Sequence, residues 1–159
     1  SVASKKMEKE AASYKITFNA NGGRGSMSKQ SVKKGVSTAI SKNKFSKKNY
    51  TFTGWNTKAD GKGKSYKNKE KIKLTKNITL YAQWKPAKYK ITYKLNGGKN
   101  EKNPASYTCT TSTIKLKNPT RKGYVFKGWY LDKKFKKKVT VINKGSSGNK
   151  TLYAKWKKK

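Results

Sequence analysis

Histidine is absent from these 159 residues, and with it go the commonest acid–base group and the commonest metal ligand. Cysteine occurs once, at Cys109, so no disulfide closes within the chain and no Cys–His dyad can form. Such cysteine usage suits a reducing compartment. In the stretch SYTCTT, Cys109 reads as a small residue packed in a strand. Acids are nearly as scarce: Glu8, Glu10, Asp60, Glu70, Glu101 and Asp132 are the full set, and beyond the first residues none stands close to another in sequence. Paired-carboxylate catalysis and clustered metal ligation therefore have little raw material, and neither a cofactor nor a metal is expected. No phosphate-binding loop is present, because ADGKGKS lacks the required spacing and reads as a hairpin turn. There is no secretory h-region and no apolar run long enough to span a membrane.

Lysine fills the space that these residues leave. Lys plus Arg number 42 against 6 Asp plus Glu, a formal net charge of +36, and only Arg24 and Arg121 are arginine. A small domain stays soluble with a net charge of about 2–8, so solubility alone does not account for this excess. A body so cationic attracts anionic polymers. Lysine is a hydrated point charge, whereas arginine reads phosphates and base edges in two-pronged fashion. The bias thus points to diffuse attraction more than to sequence-specific reading. Hydrophobic residues make up only 32% of the chain, which alone would allow disorder, but aromatics at 12% argue for folded structure.

The aromatics also recur in order. YKITFNANGG opens at Tyr14 and YKITYKLNGG at Tyr89; NYTFTGWN at Asn49 is matched by GYVFKGWY at Gly123; TLYAQWK at Thr79 is matched by TLYAKWK at Thr151. Anchors that hold while spacers drift are the mark of tandem folding units. Each anchor reads as a strand. Tyr14, Ile16 and Phe18 alternate with Lys15, Thr17 and Asn19, and Tyr89, Ile91, Tyr93 and Leu95 repeat that period of two. Ile78, Leu80, Ala82 and Trp84 share a face; the copy keeps Leu152, Ala154 and Trp156 but has Lys150 in place of Ile78, which predicts a frayed strand start. The Asn-Gly-Gly after the first anchor is turn chemistry, and Gly54 and Gly128 mark a bulge or a close backbone approach. Helical periodicity is scarce, and the best candidate is the short link from Asn43 to Asn49. The expected division is a tail or linker over 1–13, a module over 14–85, a linker over 86–88, a module over 89–157 and a tail over 158–159. Each module has roughly 70 residues, near the lower size at which a domain folds alone. The fold class is mainly β or α+β.

In this order and spacing, YKIT…NGG, GY.F.GWY and TLYAKW resemble the Listeria–Bacteroides repeat, also called the internalin-B B-repeat, in two copies. The resemblance implies β-grasp-like modules, each a curved mixed sheet with little helix. It also implies a place on secreted or surface-attached bacterial proteins within longer multi-repeat chains, which overrides the compartment suggested by cysteine usage. Phe45 stands where the second copy has Pro119, and Asn49 replaces Gly123, which predicts a differently shaped turn before the first GW segment. Some bacterial surface domains carry a Lys–Asn crosslink promoted by a buried carboxylate; here suitable acids are few, chiefly Asp60, Glu70 and Asp132.

The candidate binding residues are lysines. In KNKEKIKL, Lys67, Lys69, Lys71 and Lys73 alternate with Asn68, Glu70, Ile72 and Leu74. As a strand this would set four ammonium groups about 6.5–7 Å apart on one face, within a Debye length of one another. The second copy offers Lys133, Lys134, Lys136, Lys137 and Lys138 around Phe135. Lysines that keep an edge strand from pairing would look similar. Trp55, Trp84, Trp129 and Trp156 recur inside strand anchors and suit core packing better than ligand stacking, while Tyr81, Tyr130 and Tyr153 are better placed for exposure.

Three functions compete. The first is a non-enzymatic cell-surface or secreted module that grips teichoic acid, sulfated glycosaminoglycan, extracellular DNA or a host surface, as adhesin or spacer. The second is an intracellular nucleic-acid-binding protein, and the third a purely structural spacer.

Overall fold

The computed structural model describes residues 12–159, so most of the expected tail over 1–13 lies outside the described residues. The chain divides into two compact units, one ending at Lys85 and the next beginning at Pro86. The described residues are strands, turns and loops, with no helix.

The first unit comprises β1 (Ser13–Asn19), β2 (Gln30–Lys33), β3 (Thr38–Ala39), β4 (Tyr50–Asn56), β5 (Ser65–Tyr66), β6 (Lys71–Ile72) and β7 (Ile78–Pro86). The second repeats the series with β8 (Tyr89–Lys94), β9 (Ser106–Tyr107), β10 (Ile114–Lys115), β11 (Tyr124–Tyr130), β12 (Lys138–Val139), β13 (Val141–Ile142) and β14 (Lys150–Lys158). The main sheet of the first unit runs β2-β1-β7-β4-β5, and that of the second, read in the same sense, β9-β8-β14-β11-β12. The first and last strands of each unit lie side by side and parallel, with Ile16 opposite Ile78 and Ile91 opposite Lys150. A parallel pair needs a crossover, and here the intervening strands supply it. A two-stranded ribbon, β3-β6 or β10-β13, completes each unit. The sheets are therefore mixed, as the resemblance implied.

Alternation places the cores. Ile16, Phe18, Val32, Ile40, Phe45, Trp55, Ile72, Leu74, Leu80 and Ala82 form one, and Ile91, Tyr107, Trp129, Ile142, Leu152 and Ala154 the other. Phe18, Phe45 and Phe52 all set their rings 5.0–6.0 Å from that of Trp55. Tyr93 and Phe126 surround Trp129 in the same way, at 5.3 and 5.4 Å. Trp84 and Trp156 lie half-buried against their cores and donate from Nε1 to the carbonyls of Ala20 and Leu95, both at 2.9 Å.

The Asn-Gly-Gly turns close as the sequence suggests. Asn21 and Gly22 have φ of 49° and 91°, and Asn96 and Gly97 48° and 93°; two successive positive φ values are what a tight hairpin turn requires. Gly23 N–H and Gly98 N–H then bond to Ala20 O and Leu95 O at 3.0 and 2.9 Å. Gly128 follows a bulge: the β11–β14 register shifts between Phe126 and Gly128. At Gly54 a Cβ would stand 2.7 Å from Tyr66 O, the close approach expected there.

Several expectations change. The link from Asn43 to Asn49 is not helical. The Asn43 side chain bonds Phe45 N–H (2.8 Å) and Phe45 O (3.1 Å), and Ser46 bridges to Arg24, so the segment is held open and extended. The turn before the GW segment has the same form in both copies, because Asn49 (φ 67°) tolerates the conformation that Gly123 (φ 80°) adopts. Lys150 is no frayed end; it opens β14 and pairs with Ile91. β14 continues to Lys158, opposite Tyr124, so the first residue of the expected tail over 158–159 belongs to the strand. β7 reaches Pro86, which leaves only Ala87 and Lys88 between strands. Cys109 sits half-buried in a turn after β9, where its carbonyl accepts from Gly145 N–H at 2.9 Å.

Candidate polyanion-binding surface

The lysines singled out by alternation are all exposed, but they do not form the single row expected of one strand. Lys69 takes a φ of 62°, and Glu70 N–H bonds Lys67 O at 3.1 Å, so Lys67–Glu70 is a reverse turn. A turn breaks the period of two, and Lys67 and Lys69 leave the line. Alternation holds beyond it: Ile72 and Leu74 are buried while Lys71 and Lys73 face outward.

In the second unit Lys133, Lys134, Lys136 and Lys137 occupy the loop from β11 to β12, and Lys138 opens β12. Asp132 organises this loop. Its carboxylate accepts the N–H of Lys137 (2.8 Å) and of Lys136 (2.9 and 3.1 Å). The N–H of Lys137, with those of Lys136 and Lys134 and the Lys136 charge, holds the Asp132 carboxyl below its ordinary 3.8, against the opposing cost of desolvation. One carboxylate thus fixes a loop that carries several cations outward. Phe135, at φ 56°, sets its ring 5.4 Å from that of Tyr130.

The corresponding loop of the first unit is built differently. Asn56, 1% exposed, donates from Nδ2 to Gly61 O, Gly63 O and Ser65 Oγ at 3.0–3.1 Å, and its Oδ1 accepts from Lys58 and Gly63 N–H at 2.9 Å. The hairpin turn read in ADGKGKS is present, with Lys62 N–H on Asp60 Oδ1 at 3.0 Å. This loop closes onto the outer face of its sheet: Asn21 Nδ2 donates to Ala59 O at 2.9 Å, and Gln83 Nε2 reaches Lys58 O at 3.4 Å. Asn96, the second copy's counterpart of Asn21, keeps the bond to the last strand (Ala154 O, 2.8 Å), but among the described residues its bond to the loop has no equivalent.

The outer face of the second sheet is consequently open. A groove of about 930 Å³ runs along it, lined by Lys94, Arg121, Lys133 and Lys155 together with Tyr153 and Phe135, and no carboxylate is among its lining residues. Three of these cations, Lys94, Arg121 and Lys155, are not in either lysine run of the sequence. Position-by-position comparison of the two copies would have found Lys94 and Lys155, which stand where the first copy has Asn19 and Gln83; Arg121 stands where it has another cation, Lys47. Arg121 is held flat, its Cζ 3.6 Å from the centre of the Tyr124 ring, over the backbone of Gly97, where a Cβ would come within 2.9 Å of Nε. The Lys155 ammonium lies 5.8 and 5.7 Å from the ring centres of Tyr130 and Phe135.

Among the described residues no three His, Cys, Asp or Glu side chains come together as a metal site would require. Asp60 is exposed and Glu70 and Asp132 are only partly covered, so none is the buried carboxylate that a Lys–Asn crosslink needs. No helix among the described residues is long and apolar enough to cross a membrane.

Comparison with known proteins fits this twofold architecture. A Gly-rich membrane protein of Evansella cellulosilytica is 38% identical over 111 residues, which is 69% of this chain and 13% of the relative. Internalin H of Listeria monocytogenes is 33% identical over 113 residues, 70% of this chain and 20% of the relative. A second E. cellulosilytica membrane protein is 31% identical over 83 residues, covering 52% of this chain and 12% of its own length. The chain thus spans a fifth or less of each of these relatives. No solved structure matches. The model of the Listeria-Bacteroides repeat domain matches residues 14–83 and again 89–155, the same two stretches that fold here into matching seven-stranded units. The chain belongs to the Listeria-Bacteroides repeat family and carries two tandem copies of its repeat.

Proposed function

We propose that this chain is a non-enzymatic module of a bacterial cell-surface or secreted protein that holds anionic polymers by diffuse lysine electrostatics. The observation that carries this reading is the charge: +36 over 159 residues, with Lys67, Lys69, Lys71 and Lys73 exposed on one unit and Lys133, Lys134, Lys136, Lys137 and Lys138 on the other. Crowded ammonium groups repel one another, and a flexible polyanion relieves that repulsion while releasing its own counterions. Wall teichoic acid, sulfated glycosaminoglycan and extracellular DNA share the needed chemistry. The scarcity of acids and the lack of histidine support a role without bond making. The family match, and relatives named as internalin and membrane proteins, support a surface location. Retention on immobilised heparin, duplex DNA and teichoic acid tests the reading. All three should hold the chain at physiological salt and release it as salt rises. Retention on DNA alone would favour an intracellular nucleic-acid role.

A second reading, a spacer repeat whose lysines only solubilise it, draws support from the small fraction of its relatives' length that the chain spans. Failure to bind any of the three polymers would select it.

A further inference from the structure

We propose that the outer-face groove of the second unit is a discrete site for an anionic saccharide, a short stretch of sugar rings bearing sulfate or carboxylate groups. This deepens the polyanion reading and rests on it: the exposed lysines attract the polymer, and the groove takes hold of one segment.

Three observations carry the assignment. The groove joins four cations, Lys94, Arg121, Lys133 and Lys155, with no carboxylate in its lining, in about 930 Å³; that volume falls within the range of concave ligand sites, roughly 300–1,000 Å³. Arg121 is pre-set, flat on Tyr124 at 3.6 Å and seated over Gly97. A guanidinium held in one plane presents its paired donors to a sulfate or carboxylate without first losing rotamer freedom. The first copy keeps one of the four cations, Lys47, held over Tyr50 at 4.2 Å and beside Gly22, and lacks the other three. Asn19, Lys47, Ala59 and Gln83 stand at the matching positions, and its loop is bonded down by Asn21 and Gln83.

Saccharide is favoured over nucleic acid by the state of the rings. Single-stranded nucleic acid stacks successive bases on aromatic faces, and of the three rings lining the groove only Tyr153 is not packed against another ring among the described residues. Here Phe135 is packed against Tyr130, with Lys155 close to both rings. Trp156 packs on Phe126 at 5.5 Å and bonds Leu95 O. Cations remain for the anionic substituents, and the Thr151 and Tyr153 side chains in the lining offer hydroxyls for those of the sugar.

The test uses the whole chain and two triple variants of equal charge. In the groove variant, Lys94→Asn, Lys133→Ala and Lys155→Gln install the residues of the first copy. In the control, Lys29→Gln, Lys33→Gln and Lys34→Gln remove three charges at lysines outside both the groove and the two lysine clusters. All six positions are exposed, and tryptophan fluorescence checks that each variant is folded. Titration calorimetry with a heparin tetrasaccharide, an oligogalacturonate and a single-stranded DNA hexamer reads the site. The groove variant should lose at least about tenfold in affinity for one or both saccharides, and the control less than about twofold. Arg121→Lys, which preserves charge, should also weaken saccharide binding, by about threefold or more. Loss of sulfated binding alone assigns sulfate, and of galacturonate alone carboxylate. Equal losses in both triple variants, or no tetrasaccharide binding while long heparin is still bound, would overturn the groove and leave the diffuse reading standing. Wild-type indifference to long heparin as well would overturn both. A hexamer that binds as tightly as the saccharides and depends on the same residues would overturn the saccharide assignment.

Discussion

Gly23 and Gly98 show how tightly single residues are fixed by the tryptophan of each closing strand. A Cβ on Gly23 would stand 2.7 Å from Trp84 Cζ2 and 2.9 Å from Ser46 O. The carbonyl belongs to the backbone bridge between Arg24 and Ser46 and cannot yield cheaply. Gly23→Ala is expected to destabilise the first unit by about 1–3 kcal/mol, the usual cost of overpacking. Gly98→Ala should act alike on the second, where Trp156 takes the same place; urea denaturation of each variant measures it. Trp55 and Trp129 make a sharper pair. Both are buried, at 0% and 2% exposure. Trp129 Nε1 donates to Lys117 O at 3.1 Å, whereas Trp55 Nε1 has no partner among the described residues. Trp129→Phe therefore gives up a hydrogen bond, while Trp55→Phe removes an unpaired donor. The former should cost about 1 kcal/mol more than the latter, read from the difference in denaturation free energies. The core role of these tryptophans was legible in sequence, because they recur within strand anchors. Their different polar fates were not, because the acceptor for Trp129, Lys117 O, lies outside the strand anchors, in the loop after β10.

At the level of elements, the strands were the readable part. Period-two alternation places Ile16, Phe18, Leu80 and Ala82 correctly in the core, and Asn-Gly-Gly places the turns. Alternation failed in KNKEKIKL, where polar residues alternate as well in a turn as in a strand and nothing local announces the positive φ of Lys69. The loop following the GW strand was still less legible. Its form depends on whether Asn56 or Tyr130 ends that strand, and on whether a side chain of the last strand reaches across to hold it. Asp132 gives the second loop a pH dependence. Its pKa is depressed in the fold, so the stabilisation is fully present above the ordinary value of 3.8 and is lost as pH falls through the lower folded value. The amide resonances of Lys136 and Lys137 should therefore shift together in an NMR titration, with a midpoint below 3.8, and Asp132→Asn should abolish that shared transition.

For the molecule as a whole, the two copies keep one topology and diverge in what they display. The parallel pairing of first and last strands, the turn bonds and the tryptophan bonds to Ala20 and Leu95 all recur. Asn19 and Gln83 give way to Lys94 and Lys155 on the outer face, where no core constraint opposes the exchange. A scaffold fixed by buried aromatics is thus free to vary its charge. The most direct check on charge as the source of binding is the association constant for long heparin measured across a series of salt concentrations. Its logarithm should fall linearly with the logarithm of salt, by about 0.7–0.9 for each neutralised charge, with a slope large enough to count several lysines. A slope near zero would rule out lysine electrostatics as the means by which this protein binds.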